Sequence, residues 1–304
     1  MRIVTLALAA TLAACLPAQA QTAPLSGTLA KIKDAKKITL GIRENIPPFS
    51  YLDDNQKVIG FSVEICMRIV DAVKKELGEP NLEVAMAPVT SSSRIPLMVN
   101  GSIDLECGTT TNNADRQKQV TFSNTFFLSA VRLISKKSSG VKKLADLKGK
   151  SVSTVSGSTT TPLLIKANAD LGLGANIIQA RDTAESFLLL ETDRAAAFAM
   201  DDVQLAIMAA LSRDPSAYVI GEENLNNPEP YGIMLRRDDP AFKALVNRVT
   251  GELFTSPEMA TLYDKWFTKP TPPRGINYNF PMPAALKKAY ANPSDSPDPA
   301  AYAK

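Results

Sequence analysis

The chain has 304 residues, 45% hydrophobic and 21% charged, with a formal net charge of +3 and no histidine. That length and composition provide enough apolar surface for two cored domains and exclude a disordered chain. A small net charge with scattered lysines excludes a nucleic-acid binder, and the missing histidine excludes Ser-His-Asp and Cys-His catalysis.

Residues 1–20 open with Arg2, continue through an apolar run from Ile3 to Ala14 and close on the small-residue sequence AQA at Ala20. This is the pattern of a secretory signal peptide, and the mature chain is expected to be exported. The sequence LAAC at 12–15 offers lipidation at Cys15 as an alternative. With Cys15 removed, Cys66 and Cys107 remain. Cys66 lies with Ile65, Ile69, Val70 and Val73 on one helix-period face and reads as a buried free thiol, a disulfide with Cys107 being the alternative in an oxidising compartment.

From Lys37, short β-type runs alternate with helix-period segments. KITLGIR, LEVAMAPV and IDLECG read as strands, and FSVEICMRIVDAVKKEL and SRIPLMVNG as helices. After AVRLISKK, at 130–137, the series restarts: SVSTVSG, NIIQA and AAAFAM as strands, PLLIKANADL, AESFLLLET and DDVQLAIMAALS as helices. The alternation predicts an α/β fold of two lobes, each a mostly parallel sheet flanked by helices, with the cleft between them as the ligand site. DPAFKALVNRVTGELF and PEMATLYDKWF are helices without strands of their own, which must pack on one lobe. The proline-rich TKPTPPRG and NPSDSPDPAAYAK read as a covering segment and a loose tail.

No zinc-ligand spacing and no phosphate or dinucleotide loop occurs, GLGAN at 172–176 reading as a turn, so no metal or cofactor is expected. The polar concentration lies instead in ECGTTTNNADRQ, residues 106–117. Here a strand ends and a helix begins, with Asn112 or Asn113 as its cap, at the carboxyl end of a parallel strand where α/β folds bind ligands. Threonine hydroxyls, the positive end of a helix dipole and Arg116 together favour an anion such as a carboxylate. TVSGSTTTP, with Pro162 at the expected first helical position, repeats the device in the second lobe.

These segments, together with GIRENIPPFSYLDDNQKVIGFSVEI, TSSSRIPLMVNGSIDLECGTTTNNADRQKQVTFS, LADLKGKSVSTVSGSTT and AFAMDD, resemble the periplasmic solute-binding proteins of bacterial amino-acid ABC importers over about residues 30–280. Within that family they are most similar to the glutamate/aspartate-binding proteins. The resemblance implies that Arg116, Thr109, Thr111 and Thr159 hold a ligand α-carboxylate, that Asp201 holds its ammonium, and that Arg43, Ser91 and Arg94 meet its side-chain carboxylate. Thr183 stands where the glutamate/aspartate binders carry a histidine near the ligand side chain, so that contact would be a hydroxyl rather than a cation. Taken as residues alone, Arg43 and Arg94 also fit surface charges, Asp201 a helix N-cap, and Phe49 either a cleft wall or core.

The resemblance further implies a monomeric periplasmic binding protein, not an enzyme, that delivers glutamate or aspartate to an inner-membrane permease with a separate ATPase. The expected division is 28–130 plus 235–270 for the first lobe, 131–234 for the second and 271–304 for cover and tail. Connections between lobes are expected near 130–137 and 229–235. The alternatives are an exported dehydratase-like enzyme on the same scaffold and a soluble sensor module that presents its ligand to a receptor.

Overall fold

The computed structural model describes residues 25–302; the signal-peptide reading, the cleavage site at Ala20 and Cys15 lie outside the described residues. Helix α1 (Gly27–Ala35) leads into β1 (Lys37–Ile42) and a small antiparallel sheet of β2 (Asn45–Ile46), β3 (Ser50–Leu52) and β4 (Val58–Ile59). Then come α2 (Phe61–Leu77), β5 (Glu83–Pro88), α3 (Arg94–Val99), β6 (Leu105–Glu106), α4 (Ala114–Gln117) and β7 (Val120–Phe122). Strand β8 (Phe127–Ser129) carries the chain to β9 (Val131–Lys136), β10 (Ser151–Val155), α5 (Thr160–Asp170), β11 (Asn176–Ala180), α6 (Thr183–Glu191), β12 (Ala197–Asp201), α7 (Asp202–Leu211) and β13 (Tyr218–Ile220). It returns through β14 (Glu229–Tyr231) to β15 (Met234–Arg236), α8 (Pro240–Thr255), α9 (Pro257–Phe267) and α10 (Ala284–Ala291).

Two five-stranded sheets result, ordered β5-β1-β6-β15-β7 and β11-β10-β12-β9-β13. In the first, β1 runs parallel to β5 and β6, and the returning β15 inserts antiparallel between β6 and β7. In the second, β10 runs parallel to β11 and β12, with β9 antiparallel to β12. The crossing from sheet to sheet is made at β8, paired antiparallel with β14. Residues 131–136, inside the stretch expected to connect the lobes, instead form β9 of the second sheet, where Val131, Leu133 and Ile134 are buried.

Helix α2 forms over the span its 3.6-residue apolar period predicts, burying Ile65, Cys66, Ile69, Val70 and Val73 in one stripe. Against that stripe pack α8 and α9 through Phe242, Val246, Leu262, Tyr263 and Phe267, which places the carboxyl-terminal helices on the first lobe. Phe49 belongs to this core rather than to a cleft wall, with its ring centroid 5.0 Å from that of Phe127 and 5.5 Å from that of Phe267.

Two expectations are corrected. Cys66 is not a free thiol but is bonded to Cys107, their Cα atoms 6.1 Å apart across 41 positions of sequence. The apolar stripe marks Cys66 as buried, and burial is equally suited to a disulfide once β6 brings Cys107 beneath α2. Cross-linking a loop of that size lowers the entropy of the unfolded chain by an amount worth about 4 kcal/mol, of which engineered and native bridges deliver about 2 to 4. Cys66→Ala/Cys107→Ala is therefore expected to lose about 2 to 4 kcal/mol in urea unfolding, and an unchanged midpoint would show that the bridge adds nothing.

The proline-rich tail is also docked over its described length. Tyr290 OH donates to the Phe126 carbonyl at 2.7 Å, Thr125 N–H to the Ser294 carbonyl at 2.8 Å, and Tyr302 OH lies 2.7 Å from Thr125 Oγ1. Prolines prevent periodic structure there, not packing, and two tyrosines supply the anchors.

Candidate functional site

The polar side chains singled out in the sequence gather where the parallel strands of both sheets end. Arg43 directly follows β1. Its backbone is fixed by a reciprocal pair, Arg43 N–H donating to Ser50 Oγ (2.9 Å) and Ser50 Oγ to the Arg43 carbonyl (2.8 Å). After β5, the TSSS turn bonds to itself, Thr90 N–H to Ser93 Oγ (2.9 Å) and Ser93 N–H to Thr90 Oγ1 (3.1 Å), and so sets Ser91 and Arg94. Arg43 Nη1 then donates to Ser91 Oγ at 3.1 Å. After β6, Asn113 caps α4 by accepting from Arg116 N–H, and Arg116 Nη1 turns back to the Thr111 carbonyl at 3.0 Å. Helix α4 has only four residues. So short a helix carries little dipole, which leaves the Arg116 guanidinium and the loop as the groups there that could meet an anion.

Arg43 and Arg94 are each 3% exposed and Arg116 8%, so none is a surface charge. Arg94 Nε has no hydrogen-bond partner. Burial lowers the Arg43 pKa to about 10, with the neighbouring Arg94 charge adding to the effect. Burial and Arg94 together bring Arg116 to about 9. Arg94 is lowered in the same direction by burial, offset by Glu106 and Asp201. Arg94 thus sits within Coulomb range of both Arg43 and Arg116 out of water, an arrangement that favours a nearby anion.

The second lobe contributes through β10 and β12. Helix α5 starts at Thr160, making Pro162 its third residue rather than its first. Ser158 and Thr161 spend their hydroxyls on the Val155 carbonyl, so of this threonine-rich run Thr159 reaches out, donating to Glu229 Oε2 at 3.1 Å. Asp201, at the end of β12, precedes α7 but makes no side-chain cap bond. Its carboxylate accepts from Tyr231 OH and from Gln204 Nε2 (3.2 Å) instead. Burial pushes its pKa up to about 7, against the lowering effect of the Tyr231 hydroxyl. Thr183 donates to Gln204 Oε1 at 3.2 Å, while Gln204 Nε2 lies 3.3 Å from Thr109 Oγ1 of the first lobe. Gln204 thus links Thr183 and Asp201 of the second lobe to Thr109 of the first, while Arg43 with Ser91, Arg116 with Thr111 and Thr159 with Glu229 form separate pairs.

Sequence reading passes over four members of the site: Glu106, Gln204, Glu229 and Tyr231. Gln204 had a usable signal, since it lies three positions after Asp201 and so one helical turn along the same face of α7. Glu229 and Tyr231 come from β14 and are brought in only by the return crossing.

The lobes touch at this site. Arg116 Nη2 of the first lobe donates to the Gly157 carbonyl of the second at 3.2 Å. Gly157 has φ +77°, and a Cβ there would stand 2.7 Å from both Cα and N of Ser92 across the cleft. Only glycine permits that approach.

Residues 38–269 match the bacterial extracellular solute-binding proteins, family 3. The chain belongs to that family. It is 48% identical over 287 residues to the L-glutamate/L-aspartate-binding protein of Pseudomonas aeruginosa, covering 94% of this chain and 95% of the relative. It is 43% identical over 293 residues to the glutamate/aspartate import solute-binding protein of Escherichia coli K12, covering 96% of each. Among solved structures, a mutant of ArgBP from T. maritima superposes with a TM-score of 0.69 at 27% identity, covering 78% of this chain and 98% of that one. Family membership and this likeness make the two lobes those of an amino-acid-binding scaffold. Among the described residues no helix is long and apolar enough to cross a membrane.

Proposed function

We propose that this chain binds an acidic amino acid, glutamate or aspartate, between its lobes and delivers it to an ABC importer by opening and closing the cleft. The observation that carries the reading is the cluster of three buried guanidiniums beside a buried carboxylate that caps no helix. An amino acid with two carboxylates and one ammonium supplies the complementary set. In this reading Arg116, with Thr109 and Thr111, takes the α-carboxylate, assisted from the second lobe by Thr159. Asp201 takes the ammonium. Arg43, Ser91 and Arg94 take the side-chain carboxylate, with Thr183 reaching the ligand through a hydroxyl. The names of the two bacterial relatives support the ligand class. The protein acts as a periplasmic monomer, by this account, with a permease and a separate ATPase supplied by other chains. Rotation about the β8 and β14 connections would open the site, a hinge motion common to two-lobed binders.

Calorimetry of ligand-stripped protein against glutamate, aspartate, glutamine and arginine tests the reading. Glutamate or aspartate should bind most tightly, and equal affinities for glutamate and glutamine would replace this proposal with a general polar amino-acid binder. Proton linkage gives a further expected result. The ionised form of Asp201 binds the ammonium, and burial holds its pKa at about 7, so the protonated form grows as pH falls below that value. Glutamate affinity should then fall about tenfold per pH unit below 7. In Asp201→Asn the affinity should be low and flat between pH 5 and about pH 8. A wild-type profile flat over that window would remove Asp201 from ammonium binding.

A further inference from the structure

Glu106 ends β6 with no exposed surface, paired through its backbone with Gly41 on one side and Met234 on the other. Its Oε2 accepts from Thr110 Oγ1, while Oε1 is buried without a hydrogen-bond partner. The room for this carboxylate is made by Gly108, where a Cβ would lie 2.2 Å from Glu106 Oε1 and 3.0 Å from Arg43 Cγ. A side chain at 108 would therefore displace either the carboxylate or the Arg43 stem. Glu106 acts on all three arginines of the site, favouring their charged forms, and for Arg94 it is the largest charge that does so. The other carboxylates nearby reach fewer of them: Asp182 favours the charge of Arg43, Glu229 that of Arg116, and Asp201 that of Arg94 and Arg116.

The geometry points to Glu106 as the residue that sets the charge selectivity of the site: it offsets guanidinium charge at all three arginines and so limits how strongly the pocket favours more negative ligands. The inference rests on the acidic amino-acid reading above. Removing the Glu106 charge raises the positive potential at the ligand, and the gain grows with each negative charge that ligand bears. The residue acts without touching the ligand, through the potential it lends to Arg43 and Arg94, and is a specificity residue in that sense.

The test is Glu106→Gln, which keeps an oxygen to accept from Thr110 and loses only the charge. Calorimetry with glutarate, glutamate and glutamine, of net charge −2, −1 and zero, reads the ligand-charge dependence directly. Relative to the unmutated protein, the glutamate-to-glutamine affinity ratio should widen at least tenfold, and glutarate should gain by more than glutamate. Glu106→Asp, which retains the charge, should hold the ratio within about threefold. A parallel change for all three ligands would make Glu106 a packing residue and overturn the inference, as would a ratio that narrows. If Glu106→Gln is unfolded alone, the ratio of the glutamine and glutamate concentrations that refold it gives the same reading: a ratio wider than the affinity ratio of the unmutated protein supports the inference, and an equal or narrower one overturns it. An unmutated protein without preference for glutamate would instead overturn the acidic amino-acid reading itself.

Discussion

Arg94→Ala is expected to weaken glutamate binding about 30- to several-thousand-fold while changing glutamine binding far less. The figure follows from the cost of removing one member of a buried charge pair, about 2 to 5 kcal/mol, at about 1.4 kcal/mol per tenfold. Arg94 is 3% exposed, its Nε has no partner within the protein, and the Thr90 to Ser93 turn fixes its backbone. Its guanidinium is thus held in place for something other than an internal contact. Glutamine presents an amide where glutamate presents a carboxylate, so it has little to lose. Calorimetry of the variant with both ligands measures the two changes together. Equal losses would assign Arg94 to the part of the ligand that glutamate and glutamine share.

Gly157→Ala is expected to do the opposite: lower affinity for every ligand by one factor and leave selectivity alone. The added Cβ falls 2.7 Å from Cα and N of Ser92, backbone atoms that cannot rotate aside, at a φ of +77° that L side chains rarely adopt. Overpacking of this kind costs about 1 to 3 kcal/mol, and the cost is incurred only when the lobes meet, which corresponds to about 5- to 150-fold in Kd. The Arg116 to Gly157 hydrogen bond is strained along with it. Small-angle scattering should show the variant contracting less than the unmutated protein when saturating glutamate is added. Full contraction with unchanged Kd would mean that binding does not require these two loops to approach. The pair of variants separates ligand recognition from lobe closure, which a single affinity measurement cannot do.

Much of this architecture is legible in the sequence because it is periodic. α2 and β11 occupy the very spans that their apolar spacing predicts, and the alternation of strands and helices yields the lobes. The threonine loop at 109–111 with Arg116 is legible for a related reason, since carboxyl ends of parallel strands are where such folds place ligands, whereas Arg43 and Asp201 come forward only through the family resemblance. What escapes the sequence depends on chain segments far apart. Cys66 meets Cys107 only because α2 lies over β6, and a helical stripe reports burial without naming the neighbour. Tyr231 reaches Asp201 from a strand thirty positions away, and no local pattern encodes that meeting. Glu106 looks like a solvated strand end until β15 closes over it on one side. The tail is misread because proline content predicts irregular backbone and says nothing about whether tyrosines such as Tyr290 find a pocket.

The position of β15 bears on how the chain acquires its structure. The second sheet is drawn wholly from residues 131–220, whereas the first needs Met234–Arg236 between β6 and β7 before its hydrogen bonding is complete. Closing that sheet means joining strands separated by more than a hundred residues, a long loop whose entropy cost falls once the intervening chain is compact. The contiguous lobe should accordingly gain hydrogen-exchange protection first during refolding, and Leu105 and Glu106 should be protected only together with Met234 and Leu235. Half of the ligand site, the half that carries all three arginines, would then come into being last.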